Sequence, residues 1–164
     1  MSDAYVECLV KAKQSPIAKF FKVILIFLTA FFGVGTLVFP PILLLALVTG
    51  AGAYFLNLFT DLEYEYLYLD KEITVDKVMA KSKRKRIATY SADRMEILAP
   101  INSYHLDNYK NRNVKVKDLS IGEVQQPDLR YVMYYEGGEK IILSPSEELI
   151  KILRNVAPRK VFDK

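Results

Sequence analysis

Charge is missing from one long stretch of this chain: between Lys22 and Asp61 no side chain carries a formal charge. Histidine and cysteine are nearly missing too, with only His105 and Cys8 in 164 residues. A metal site needs several His, Cys or acidic ligands that converge, so one His and one Cys far apart in sequence predict no metal centre. A lone cysteine cannot close an intramolecular disulfide, which fits a reducing compartment. The chain contains no phosphate-binding glycine loop and no recognisable Ser or Cys nucleophile motif. His105 with Asp107 reads as a solvated loop histidine, and Glu63 with Glu65 as an exposed strand face. The expectation is a non-enzymatic protein with no cofactor and no catalytic residue.

What fills the uncharged stretch is "VILIFLTAFFGVGTLVFPPILLLALVTGAGAYFLNLFT", dominated by Leu, Phe, Val, Ile and Ala. A signal-peptide core is only about 7–15 residues, too short to explain it. One straight helix over the whole run would exceed about 50 Å at about 1.5 Å per residue, against a hydrocarbon core of about 30 Å. The middle, "GVGTLVFPP", offers a break at Gly33, Gly35, Pro40 and Pro41. Residues 17–59 therefore read as a two-helix transmembrane hairpin, Ile17 to about Leu37 and about Pro41 to Phe59.

Lys11 and Lys13 precede the first helix, Lys19 and Lys22 lie in its first turns, and Lys71, Lys77 and a basic cluster follow the second, while the joining turn has no positive residue. That asymmetry predicts both termini in the cytoplasm. Ala46 with Gly50, and Thr49 with Ala53, have the small-x-x-x-small spacing that lets backbones approach. Contact within the hairpin uses it, with homo-oligomerisation as the alternative. Nothing charged lies between Lys22 and Asp61, so the hairpin reads as an anchor in the cell membrane. Residues 1–16 read as a short cytoplasmic or interfacial helix, capped by Ser2 or Asp3, with Cys8 as a small buried or interfacial hydrophobe; acylation of Cys8 is the alternative.

Residues 60–164 read as a separate cytoplasmic domain. "LEYEYLYL" alternates, placing Leu62, Tyr64, Tyr66 and Tyr68 on one face, and Asp70 with Lys71 turns the chain into "EITVDKV". "RKRIATY", "RMEILAP" and "VKVKDLS" supply further strands around an irregular segment, "INSYHLDNYKNRN", and a loop at "GEVQQPD". "LRYVMYYEGGEKIIL" is a hairpin turning at Gly137 and Gly138. In "SPSEELIKILRNVAP", Ser144 reads as the N-cap, Pro145 as the first helical residue and Glu147 as the capping-box partner. Leu149, Ile150, Ile152, Leu153 and Val156 form the apolar stripe.

About seven antiparallel strands followed by one amphipathic helix resemble the pleckstrin-homology superfold, a bent barrel capped by a C-terminal helix. The whole layout, two membrane helices followed by "LEYEYLYLDKEITV" and ending in "IILSPSEELIKIL", is similar to bacterial membrane proteins that carry a PH-like domain. The resemblance implies a fold and a location and transfers no functional residue. Lipid-binding relatives typically use the loop between the first and second strands, whereas the basic run here follows the second, which argues against phosphoinositide specificity.

That run, "MAKSKRKRIATY", holds Lys81, Lys83, Arg84, Lys85 and Arg86. Three readings of it remain open. It is a solvated strand end paired with Asp76 and Glu72, or a patch docking onto anionic lipid at about 1 kcal/mol per basic residue, or part of a surface meeting a protein partner. Nucleic-acid binding is not expected from a domain tethered to a membrane, despite the eleven tyrosines. The leading expectation is a scaffold or interaction module that presents the domain to a protein partner. Anionic-lipid sensing through residues 81–86 is the alternative, and a small-ligand site in the polar loop 101–113 is a third.

Overall fold

A computed structural model describes residues 5–123 and 126–163. The chain divides into two compact units, one of residues 14–62 with 79–83, the other of the remainder.

In the first unit, Pro16 opens helix α1 (Pro16–Gly35), where its missing N–H costs nothing. A single 3-10 turn, Pro40–Ile42, leads into α2 (Leu43–Thr60). Both helices are long and apolar enough to cross a membrane. The small residues serve contact within the hairpin. Ala46 is buried, a Cβ on Gly50 would sit 3.4 Å from the Thr29 methyl, and the Thr29 hydroxyl lies 3.1 Å from that of Thr49.

The second unit begins with a strand where a helix was expected. Strand β1 (Val6–Lys11) pairs antiparallel with β2 (Leu62–Leu69), from Val6 opposite Tyr68 to Lys11 opposite Glu63. "VECLVK" alternates with period two, and Val6, Cys8 and Val10 turn inward onto the core while Glu7, Leu9 and Lys11 face out. The expected caps Ser2 and Asp3 lie outside the described residues. Cys8 is a small hydrophobe against this core. Residues 60–164 therefore do not make up the folded domain alone, since one of its strands comes from the segment assigned to 1–16.

The sheet continues through β3 (Glu72–Met79) and β4 (Lys83–Ser91) in the order β1-β2-β3-β4. The two-residue turn at Asp70 and Lys71, both with positive φ, is the expected one. A second sheet holds β5 (Met95–Pro100), β6 (Lys115–Asp118), β7 (Tyr131–Tyr135) and β8 (Glu139–Leu143) in the order β5-β7-β8-β6. Gly137 (φ 96°) and Gly138 (φ 79°) make the β7–β8 turn, as expected. Among the described residues there are thus eight strands, not seven, and the β6–β8 pairing is parallel.

Helix α3 (Glu147–Val156) lays Leu149, Ile150 and Leu153 onto the core that both sheets share, with Tyr66, Ile73, Val75, Leu98, Met133 and Ile141. Its N-cap is Ser146, whose hydroxyl accepts from the Leu149 N–H at 3.2 Å. The expected cap, Ser144, instead accepts from the Ile121 N–H at 3.0 Å and donates its own N–H to the Tyr66 hydroxyl at 3.3 Å. The helix starts two residues late because Ser144 is engaged by a distant loop. Tyr66 also donates to the Leu119 carbonyl, and burial pushes its hydroxyl far above the usual tyrosine range.

Candidate membrane-facing site

The basic cluster occupies the β3–β4 turn and the start of β4, and residues 81–87 are all exposed. The turn spans residues 80–82, with Ala80 (φ 45°) and Lys81 (φ 56°) both left-handed. Neither is a glycine, so hydrogen bonds must hold the conformation. The Ser82 N–H donates to the Met79 carbonyl at 3.1 Å, and the Ala80 N–H donates to the carbonyl of Asp61 at 2.8 Å. Asp61 directly follows α2, so this bond ties the turn that carries Lys81 to the exit of the second helix.

The five basic residues divide into two groups. Arg84 lies 3.0 Å from Glu65 and Arg86 lies 3.5 Å from Asp76. Asp76 was an expected partner; Glu72 was not used, and Glu65 took its place. Lys81, Lys83 and Lys85 have no ion pair among the described residues. The unpaired charge sits at the turn and on alternate positions of β4, while the two arginines are held by the sheet.

Glu65 corrects the reading of an exposed acidic face. It is 0% exposed, yet few atoms cover it, so its cover is a thin layer of neighbouring side chains. The Arg84 contact lacks hydrogen-bond geometry, and neither Glu65 oxygen receives a hydrogen bond. Burial, and then the nearby Glu7 carboxyl, raise Glu65 above the ordinary carboxylate range; Glu7 is held below it, first by Glu65 and then by the Tyr5 hydroxyl. Of the two neighbouring carboxyls, Glu65 is thus the one whose ionisation is disfavoured.

Much of the polar loop 101–113 packs onto the second sheet. Residues Tyr104–Tyr109 wind into a 3-10 turn that buries Leu106 against Ile97, Ala99, Val132 and Tyr134 on the far face of the second sheet. His105 is not solvated but sandwiched, with ring centroids 3.8 Å from Phe162 and 4.0 Å from Tyr104. Asp107 bonds Lys110 instead, at 2.6 Å. An open depression of about 310 Å³ lies beside Asn102 and Ser103, but its carboxylates are engaged: Asp128 by Arg130, which holds it below the usual range, and Asp163 by Arg154.

The sequence of residues 2–163 matches the family described as bacterial PH-like domain (DUF6106). The chain belongs to that family. No curated protein and no solved structure matches it. Within this PH-like protein the apolar hairpin is inserted between β1 and β2, which are paired neighbours in one sheet. The basic run accordingly follows the third strand, not the second, and the first interstrand loop is the hairpin itself.

Proposed function

We propose that this PH-like protein is a membrane-anchored, non-enzymatic module in the cell membrane, with both termini cytoplasmic, whose basic β3–β4 turn contacts anionic headgroups. The two sheets and α3 act as the bent, helix-capped barrel of the PH type. One observation carries the reading: the Ala80–Asp61 hydrogen bond holds Lys81 next to the end of α2, where a membrane-embedded hairpin emerges into the headgroup layer. Lysines at that level gain about 1 kcal/mol each near an anionic surface. The topology has a second support. The pairing of β1 with β2 in one sheet fits a hairpin whose two ends leave and return on one side of the membrane.

The reading is tested on the full-length protein in lipid nanodiscs by hydrogen exchange. The β3–β4 turn is expected to exchange more slowly in anionic than in neutral discs, and salt or the pair of substitutions Lys81→Gln and Lys83→Gln should abolish the difference. Equal exchange in both lipids would overturn headgroup contact.

Presentation to a protein partner is a second reading, favoured by the sheet edges. Among the described residues β1 and β4 are the outer strands of the first sheet, and an outer edge accepts an added strand.

A further inference from the structure

The charged and amide side chains of the hairpin gather at one end. Gln14, Lys19, Lys22, Asn57 and Asp61 line a depression of about 420 Å³ there. Lys22 reaches across to α2, its ammonium donating to Asn57 Oδ1 at 2.6 Å. That bond directs the side chain sideways, so it does not extend down toward water and lower the effective boundary. The Lys22–Asn57 rung thus marks where the apolar part begins.

Measured from that rung, the hairpin is short. From Val23 to the end of α1 the helix rises roughly 20 Å, and α2 from Leu43 to Leu56 about the same. A hydrocarbon core is about 30 Å thick. The turn has to make up the difference, and it is built of apolar residues: Leu37, Val38, Phe39, Pro40, Pro41 and Ile42, with Val38 90% exposed.

Its backbone is also dry on the donor side. The N–H groups of Thr36, Leu37, Val38 and Phe39 donate to the carbonyls of Phe32, Val34, Gly35 and Gly35 at 3.0–3.1 Å. Pro40 and Pro41 have no N–H, and those of Ile42 and Leu43 are bonded within the turn. No N–H from Thr36 to Leu43 needs water. The Thr36 hydroxyl is used as well, donating to the Gly33 carbonyl at 2.6 Å. Carbonyls of Thr36, Leu37 and Val38 accept no backbone hydrogen bond, and an unpaired carbonyl is tolerated better than an unpaired N–H. A loop in water needs none of this satisfaction, whereas a turn in lipid requires it.

We infer that the hairpin tip, residues 37–42, ends inside the far leaflet against acyl chains and exposes no loop to the aqueous phase beyond it. The inference rests on the membrane-anchored reading above. Its partner is lipid hydrocarbon, and the protein carries no far-side surface for another protein to engage.

The test places single cysteines in the full-length protein with Cys8→Ala, at Val38→Cys, at Leu37→Cys as a second tip position, and at Lys85→Cys as a cytoplasmic control. A membrane-impermeant maleimide is applied to intact cells, to inside-out vesicles and after detergent. The tip cysteines should be labelled only after detergent, and Lys85→Cys in vesicles but not in intact cells. Labelling of the tip in intact cells would overturn the inference and leave the anchor standing. Labelling of the tip in inside-out vesicles would show that the hairpin is not inserted, and both readings would fail.

Discussion

Glu65 shows how a residue's neighbours, and not its type, set its behaviour. Groups facing it come from three strands: Glu7 on β1 with Tyr5 just before it, Asp76 on β3 and Arg84 on β4. Because Glu65 is raised, the folded state disfavours its ionised form, so its contribution to stability is lost as pH rises from the ordinary carboxylate range through the raised value. Glu7 is lowered and acts in the opposite sense, losing its contribution as pH falls through its own value. Glu65→Gln removes the first effect, keeps a donor for Glu7, and leaves Arg84, 63% exposed, to water. The substitution should stabilise the protein at neutral pH by about 1 kcal/mol, the low end for an unsatisfied buried group given the thin cover. The gain should vanish in acid, and urea unfolding in detergent across that pH range measures it. None of this was legible in "LEYEYLYL", where Glu65 alternates with tyrosines like any outward side chain. Gly122 is a similar case: a Cβ there would lie 2.4 Å from the Lys13 Cα, a close approach between segments far apart in the chain.

Helix α3 separates what a local motif specifies from what a distant contact overrides. The apolar stripe holds at Leu149, Ile150 and Leu153, which are buried, and at half-buried Ile152, whereas Val156 at its end is exposed; both Ser144 and Ser146 are competent caps by type. Tyr66 and Ile121 decide between them by engaging Ser144. Ser146→Ala should therefore cost about 1 kcal/mol of stability through loss of the cap, read as a lower urea midpoint, with Ser146→Asp restoring it. The β7–β8 hairpin met no such competition, and its Gly-Gly turn formed where the alternation required it. β5 and β7 are apolar on both faces because the 3-10 turn at Tyr104–Tyr109 covers the side away from the main core. That cover made Tyr109 and His105 packing residues, while Tyr104 stays exposed.

The chain as a whole is a domain interrupted by two long apolar helices. β1 is separated from β2 by fifty residues that include the apolar hairpin, yet the register brings Lys11 opposite Glu63. Residues 62–164 alone would leave the β2 edge open and part of the core uncovered, and should not fold stably. Residues 5–11 joined to 62–164 by a short Gly/Ser turn should give a soluble, cooperatively unfolding PH-like domain, checked by circular dichroism and thermal melting. A folded, stable 62–164 fragment would contradict the assignment of β1 to the core.

Sequence alone was sufficient for the two apolar helices, the break between them, the turns at Asp70–Lys71 and Gly137–Gly138, and the apolar face of α3. Each depends on residues within a few positions of one another, where periodicity and backbone preference act. The pairing of β1 with β2, the parallel β6–β8 ladder, the burial of Glu65 and the choice of Ser146 over Ser144 came from three-dimensional packing. An alternating segment carries no mark of which sheet edge will accept it, because every edge offers the same backbone groups. Only the assembled core selects the partner, and with it which polar side chains lose their water.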